Sequence, residues 1–253
     1  MEESTGTLKG IEKNRGLTVG QWVARYPQTA RIFESRSIDY CCGGKRSLEE
    51  ACARNGKDPS ALRAELAEAL EQAPSSPDTD WNKEPLETLI NHIESVHHRF
   101  LREEKPRLIA LAHKVAAVHG DRHPELVELD SSVDLIFREL DPHLDREEQV
   151  EFPAIRNWEK AGRKGVGLPD HLEALEDEHV EVGRILENIR DITSGFRPPP
   201  DACNSYLALF HGLEQLEADL HSHIHKENNI LHARIRAATA PKATNEGCSF
   251  CGE

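Results

Sequence analysis

Histidine is distributed unevenly along this chain of 253 residues. All fourteen histidines lie between His92 and His232, and none lies in the first 91 residues. Imidazole is a common metal ligand and the side chain whose charge changes most readily near neutral pH. A solvated surface would spread histidines along the whole chain, so the clustering indicates that one part of the molecule uses imidazole for chemistry.

The spacing of the histidines contains a repeat. A histidine is followed after 45 residues by an H-x-x-x-E motif, and the same arrangement recurs with a spacing of 44 residues. A separation of four places histidine and glutamate on one face of a helix. The sequence therefore predicts two helical hairpins of similar design. Their members are His98, His143 and Glu147 in the first copy, and His179, His223 and Glu227 in the second.

Four long helical stretches must position these residues. Apolar residues recur in them at steps of three and four, and breaks rich in Gly and Pro separate them. Because the connections are short, an all-α, up-down-up-down four-helix bundle is the economical arrangement. The predicted helices span residues 84–119, 125–158, 171–192 and 203–236.

The apolar residues of each helix form a seam that faces the core of the bundle. Histidine or glutamate interrupts each seam where the fold would place leucine. Burying a carboxylate or an imidazole without a partner costs free energy, so these polar seam residues need a common partner that offsets the cost. A metal ion is such a partner, and imidazole nitrogen with carboxylate oxygen suits iron, manganese or zinc. A purely structural bundle is the alternative. The predicted ligands are His98, His119, His143, Glu147, His179, His223 and Glu227.

His119 is the odd member of this set. It shares a seam with His98 but would lie about 30 Å from it along a straight helix. We expect a kink or an early helix end near Pro106 to bring it back. His119 has no counterpart in the second hairpin, where the equivalent position falls in the proline-rich loop at residues 198–200.

Counting ligand atoms predicts an open coordination position. Five imidazoles and two bridging glutamates give nine bonds, and a bridging oxo or hydroxo group adds two. Two octahedral ions would then keep one of twelve positions for a small molecule. With His119 included, the ions differ, and we expect the chemistry at the ion with fewer histidines.

Composition excludes several classes of protein. The formal charge of −14, without any basic run, argues against a nucleic-acid-binding surface. No apolar stretch is long enough to cross a membrane, and the first residues lack the pattern of a signal peptide. We therefore expect a cytoplasmic protein with no membrane and no nucleic-acid partner.

The first part of the chain predicts a separate small helical domain. Thr18 can cap a first helix and Pro27 can open a second. Ser47 and Glu50 form a capping box for a third, and Pro59 starts a fourth. The stretch APSSPDTD lacks apolar periodicity and reads as a linker. The predicted organisation is a helical domain at 1–72, a linker at 73–83, a bundle at 84–237 and a flexible tail at 238–253.

Six cysteines in a chain without an export signal favour reduced thiols. Cys41 and Cys42 adjoin within the turn DYCCGGK. They either handle thiol redox, metal or nitrosyl chemistry, or are two partly buried small side chains before a glycine turn. Cys248 and Cys251 form a C-x-x-C motif that needs further ligands before it could hold zinc.

The remaining histidines lie off the seams. We expect them to be solvated, with His97 and His225 close enough to ligands to support them, and we expect His232 on the surface. The off-seam set is His92, His97, His113, His123, His171, His211, His221 and His225.

Several of these segments resemble one known family. The segments VHHRFLREEKPRL, HLDREEQVEFPAI, LEDEHVEVG and HIHKENNIL are similar to the hemerythrin-like domain of the iron-sulfur cluster repair di-iron proteins. The segment TVGQWVARYPQTARIFESRSIDYCCGGK resembles the short helical domain that precedes it in that family. The resemblance implies two iron ions per chain on the seven predicted ligands, bridged by Glu147, Glu227 and an oxo or hydroxo group.

The resemblance also implies a function. It predicts repair or protection of iron-sulfur clusters under nitrosative and oxidative stress, with damaged iron-sulfur proteins as partners and a separate reductant. NO or O2 would bind at the iron, or iron would be donated from it. A nitric oxide reductase and an O2, NO or redox sensor are the alternatives, and a homodimer is left open.

Overall fold

The computed structural model describes Asn14 and residues 16–72, 79–163 and 168–240. Cys248 and Cys251 lie outside these residues. The described part is all-α: it contains no named strand, and one isolated antiparallel bridge joins Thr18 to Ser47. None of the described helices is both long enough and apolar enough to span a membrane.

Four short helices form the N-terminal part. Thr18 and Gln21 make a capping box at the start of the first helix, and Ser47 and Glu50 make one at the start of the third, so both predicted caps are present. A 3-10 turn at Pro27–Thr29 precedes the second helix. The helices are α1 (Val19–Arg25), α2 (Ala30–Ser35), α3 (Leu48–Arg54) and α4 (Pro59–Gln72).

Four long helical stretches form the bundle, as predicted. Three of them contain a π-helical segment, in which the backbone turn is wider than in an α-helix. The first comprises α5 (Leu86–His92), a π segment (Ile93–His98) and α6 (Arg99–His119). The second comprises α7 (Glu125–Arg146), a π segment (Glu147–Glu151) and α8 (Phe152–Lys160). The third is α9 (Leu168–Ile192), and the fourth comprises α10 (Asn204–His225), a π segment (Lys226–Leu231) and α11 (His232–Thr239).

Neighbouring helices in the bundle follow the up-down-up-down order. Helix α6 packs against α7 and α10, α7 packs against α9, and α9 packs against α11. The described chain buries two apolar clusters. The larger extends from α1 to α4 into α6, α7, α9 and α10, and the smaller joins α5, α8, the start of α9 and α11.

The N-terminal part contacts the bundle at the level of the fourth helix's π segment. Asn229 donates from Nδ2 to the carbonyls of Tyr40 and Cys41, at 3.2 and 3.1 Å. The backbones of Gly20 and Gly44 approach Asn229 so closely that a Cβ at either glycine would lie 2.2–2.3 Å from its Oδ1. The DYCCGG turn is thus held against the bundle by hydrogen bonds and close packing.

Candidate metal centre

Six of the seven predicted ligands converge at one buried place in the bundle. His98 and His223 form one pair, with their Nε2 atoms 3.2 Å apart. His143 and His179 form a second pair, with their Nε2 atoms 3.0 Å apart. Each pair combines a histidine from the first hairpin with one from the second, so the two hairpins interlock at the site.

Glu147 and Glu227 lie between the two histidine pairs. Glu147 places Oε2 3.4 Å from His98 Nε2 and Oε1 3.4 Å from His143 Nε2. Glu227 places Oε1 2.9 Å from His223 Nε2 and Oε2 3.2 Å from His179 Nε2. Each carboxylate therefore presents one oxygen to each pair, which is the arrangement of a bridging ligand. The two resulting groups are His98, Glu147, His223 and Glu227, and His143, Glu147, His179 and Glu227.

The donor set fits metal ions. Both glutamate side chains are fully buried, and neither oxygen of Glu147 has a hydrogen-bond partner among the described residues. Two nitrogens bound to one ion at about 2.1 Å and at right angles lie about 3 Å apart, which matches both histidine pairs. Buried carboxylates without hydrogen bonds are costly, and cations in the two groups would offset that cost.

The ionisable side chains of the site strongly shift one another's pKa values. Burial lowers the pKa of His98 and of His143, but Glu147 and Glu227 outweigh it and raise both to about 10. Burial and the charge of Glu227 raise the pKa of Glu147, but the charges of His143 and His98 outweigh them and lower it to about 2. Burial lowers the pKa of His223. Without metal, protons on His98 and His143 balance the carboxylates, and a metal ion must displace those protons.

Neighbouring side chains orient three of the four histidines. Glu148 Oε1 lies 2.9 Å from His98 Nδ1, and Asn228 Oδ1 lies 2.9 Å from His179 Nδ1. Glu178 Oε2 lies 2.6 Å from His143 Nδ1. Such bonds fix which ring nitrogen faces the site and raise its basicity.

Sequence reasoning missed these orienting residues, although the repeat contains a signal for two of them. Glu148 and Asn228 directly follow Glu147 and Glu227, and each hydrogen-bonds to the first histidine of its own hairpin. The residue after each H-x-x-x-E motif therefore has the same task in both copies.

His119 does not join the other six, so the prediction that it is a ligand is wrong. Helix α6 runs unbroken from Arg99 to His119 through Pro106, and no kink or early end returns His119 to the site. Its Nε2 lies instead 3.2 Å from Cys203 Sγ. Along such a helix, His119 is about 30 Å from His98.

The count of coordination positions changes accordingly. Four imidazoles and four carboxylate oxygens give each ion position two nitrogens and two oxygens. The predicted inequivalence of the two ions, with three histidines on one and two on the other, is therefore contradicted. With one additional bridging oxygen, each octahedral ion would keep one open position. That makes two open positions in total, whereas the sequence predicted one.

Three histidines that the sequence placed in solvent are buried. His97 hydrogen-bonds through Nδ1 to Asp219 Oδ1 at 2.7 Å and stacks on His223 at 5.4 Å. His225 and His232 are also buried, and the ring of His232 is nearly parallel to that of His179. His97 lies within a π segment and His232 lies beyond one, and there steps of three and four no longer identify the buried face of the helix. His225 precedes its π segment and is buried beside the ring of Tyr40, at the contact with the N-terminal part.

A cavity of about 320 Å³ lies beside His143, which is one of its lining residues. Four carboxylates and one arginine are also among the lining residues. They are Glu139, Asp177, Glu178, Glu181 and Arg146. The excess of negative charge makes the cavity favourable for cations.

Cys41 and Cys42 lie against the same region. Cys42 Sγ is 3.2 Å from the carbonyl oxygen of His179 and 3.8 Å from Cys41 Sγ. Asp39 accepts hydrogen bonds from the backbone N–H groups of both cysteines. The hydrogen bond with Cys42 and burial raise the pKa of Cys41 well above its ordinary value. Asp39, Cys41 and Cys42 also bring three potential ligand atoms together.

A helical bundle with paired histidines and shared glutamates at its centre is of the hemerythrin type. Residues 88–235 match the family of the hemerythrin HHE cation binding domain. Residues 15–70 match a second family, ScdA_N, described as a domain of unknown function (DUF542).

Individual relatives extend over both regions. The chain is 36% identical over 223 residues to the iron-sulfur cluster repair protein YtfE of Escherichia coli O8 (strain IAI1). It is equally similar to the protein of that name from Shigella boydii serotype 4 (strain Sb227). In both cases the match covers 88% of this chain and 98% of the relative. The chain belongs to the family of iron-sulfur cluster repair proteins with a hemerythrin-like cation-binding domain.

Proposed function

We propose that this chain binds two iron ions and repairs or protects iron-sulfur clusters under nitrosative and oxidative stress. The observation that carries the proposal is the position of Glu147 and Glu227 between two histidine pairs. A single ion would use only one pair, whereas two carboxylates with one oxygen toward each pair suit a dinuclear centre. The relatives named as iron-sulfur cluster repair proteins support iron over the other metals that such ligands accept.

The residues would hold the metal as follows. His98 and His223 would hold one ion and His143 and His179 the other, with Glu147 and Glu227 shared between the two positions. Iron bound there would supply exchangeable positions for NO or O2, or would itself be donated to a damaged cluster. Glu148, Glu178 and Asn228 keep the outer ring nitrogens engaged, so the inner nitrogens stay directed at the metal.

The acidic cavity beside His143 supports a route for the cation. Glu178 lines the cavity and also contacts His143 Nδ1, so it connects the entrance to a ligand. Cations would be attracted by the carboxylates and would reach the His143 and His179 pair first. Iron would leave by the same route.

The partners follow from the proposed activity. Damaged iron-sulfur proteins would receive iron or be relieved of NO, and a separate reductant would supply electrons. Cys42 lies beside the backbone of His179, and Cys41 adjoins it, so the pair would handle thiols, NO or electrons next to the metal. We place this activity in the cytoplasm, and a homodimer remains a prediction.

The proposal is tested by comparing Glu147→Ala with His119→Gln. We expect Glu147→Ala to lose tightly bound iron and to fail to restore a nitric oxide-damaged [4Fe–4S] protein, because both ion positions lose an oxygen. His119→Gln is the matched control and should keep two irons and full repair activity. Tight binding of two irons by Glu147→Ala would refute the ligand assignment. Steady production of nitrous oxide without cluster repair would identify a nitric oxide reductase instead.

A further inference from the structure

His119, the predicted ligand that lies outside the metal site, faces a thiol at the other end of the bundle. His119 ends helix α6 and is 4% exposed, and its Nε2 lies 3.2 Å from Cys203 Sγ. Cys203 itself is exposed to solvent. A buried imidazole thus contacts the sulfur of a solvent-exposed cysteine.

Contacts on the far side of the ring decide which nitrogen carries the proton. Arg122 Nη2 lies 3.5 Å from His119 Nδ1, and Arg122 Nη1 forms an ion pair with Asp201 at 3.1 Å. A guanidinium can only donate, so Nδ1 accepts and Nε2 holds the ring proton. Nε2–H is therefore directed at the sulfur. The ring of Tyr206, 5.5 Å away, packs against the imidazole and limits its rotation.

The backbone adds a second influence on the same sulfur. Cys203 is the N-cap residue of α10, a helix of 22 residues, and its side chain makes no capping hydrogen bond. The free backbone N–H groups at a helix N-terminus carry partial positive charge. The imidazole N–H and the helix end both stabilise negative charge on sulfur, which is the charge a thiol carries when it attacks.

We propose that Cys203 is a reactive thiol, positioned by His119, that exchanges with low-molecular-weight disulfides. The Cys203 sulfur attacks one sulfur of the disulfide, the original S–S bond breaks, and a new S–S bond forms to Cys203. The released sulfur takes up the proton that Cys203 gives up. Cys203 is oxidised and the departing half of the disulfide is reduced, so the exchange needs no other electron carrier.

The other described cysteines lack this combination. Cys41 and Cys52 are buried, and Cys42 is half-buried with its sulfur against the carbonyl of His179. The proposed site is also independent of iron, because it lies about 30 Å along α6 from His98.

Glutathione disulfide at neutral pH, with peptide mass spectrometry to separate the cysteines, provides the test. In the full-length protein we expect Cys203 to form the mixed disulfide faster than Cys41, Cys42 and Cys52. His119→Leu should slow the reaction of Cys203 about tenfold. His119→Gln keeps an amide N–H donor and should slow it about threefold or less.

Arg122→Leu provides a second test that leaves the imidazole itself in place, since Arg122 is largely exposed. The change removes the donor to His119 Nδ1, and we expect it to slow Cys203 severalfold while helix content and bound iron stay unchanged. An unchanged Cys203 rate in both His119→Leu and Arg122→Leu would overturn the proposal. So would a wild-type Cys203 rate no higher than that of Cys42.

Discussion

The two glutamates between the histidine pairs show how much the site depends on single residues. Glu147 and Glu227 follow their histidines by four positions on different helices, and each is fully buried. Because each has one oxygen beside each histidine pair, loss of one carboxylate affects both ion positions. A peripheral histidine such as His119 has no such influence.

At the residue scale, the site predicts that metal uptake depends on pH. The pKa values of His98 and His143 are about 10 without metal, so both imidazoles are protonated at pH 7. Binding metal removes both protons, and affinity therefore rises with pH up to about 10, by about tenfold per pH unit for each proton displaced. Titration of Fe2+ under nitrogen against a competing chelator, at several pH values between 7 and 8.5, measures this slope. An affinity that does not change over that range would show that neither imidazole holds a proton in the metal-free protein.

At the element scale, π-helical segments coincide with the ligands. His98 ends one, Glu147 begins the second and Glu227 is the second residue of the third. A π segment accommodates one extra residue in a helix and often marks a functional site. The same helices can thereby present ligands on one side of the segment and large apolar side chains on the other.

Deletion of Val150 tests the π segment of the second bundle helix. Val150 is exposed, and its deletion would remove the extra residue, so the segment could return to α-helical geometry while the residues beyond it keep their orientation. Phe152, Ile155 and Trp158 should therefore stay in the smaller apolar cluster, and thermal unfolding should show only a small change in Tm. Bound iron should decrease, because the wider turn that begins at Glu147 is lost. Val150→Ala, which keeps the chain length, should behave like the wild type, and unchanged iron binding in the deletion would contradict this role of the π segment.

The helices of the bundle were predictable because their apolar residues recur at steps of three and four. The two capping boxes were predictable for an equally local reason: Thr18 with Gln21, and Ser47 with Glu50, satisfy backbone groups within three residues. The repeated H-x-x-x-E motif identified six of the residues that converge.

The π segments and the fate of His119 were not predictable in this way. Steps of three and four describe a seam but not where one extra residue enters a turn. His119 shares the seam with His98, and a seam specifies the face of a helix but not the height along it. Pro106 suggested a kink because proline removes a backbone donor, yet α6 continues through it.

At the scale of the whole molecule, the N-terminal part and the bundle share one apolar cluster. Their contact includes Asn229, two residues after Glu227, and the backbone of the DYCCGG turn. The cysteine pair and the metal site are therefore held together by the same packing. A change at this contact should therefore affect both the cysteine pair and the metal site.

Gly44→Ala tests that contact. A Cβ at Gly44 would lie 2.3 Å from Asn229 Oδ1 and 2.6 Å from the carbonyl oxygen of Tyr40, and the backbone atom cannot move aside easily. We expect a loss of about 1–3 kcal/mol in the free energy of unfolding, measured with urea. Gly16→Ala is the matched control, because a Cβ there meets nothing within 4 Å. Equal stability of the two variants would mean that the DYCCGG turn is not packed tightly against the bundle.

The central claim is a dinuclear iron centre with two matching ligand sets, and iron analysis combined with Mössbauer spectroscopy tests it most directly. Protein prepared without oxygen should contain two irons per chain. Because each position has two histidines and shares both glutamates, the two irons should give closely similar spectra. One iron per chain, or two irons with clearly different spectra, would contradict the account.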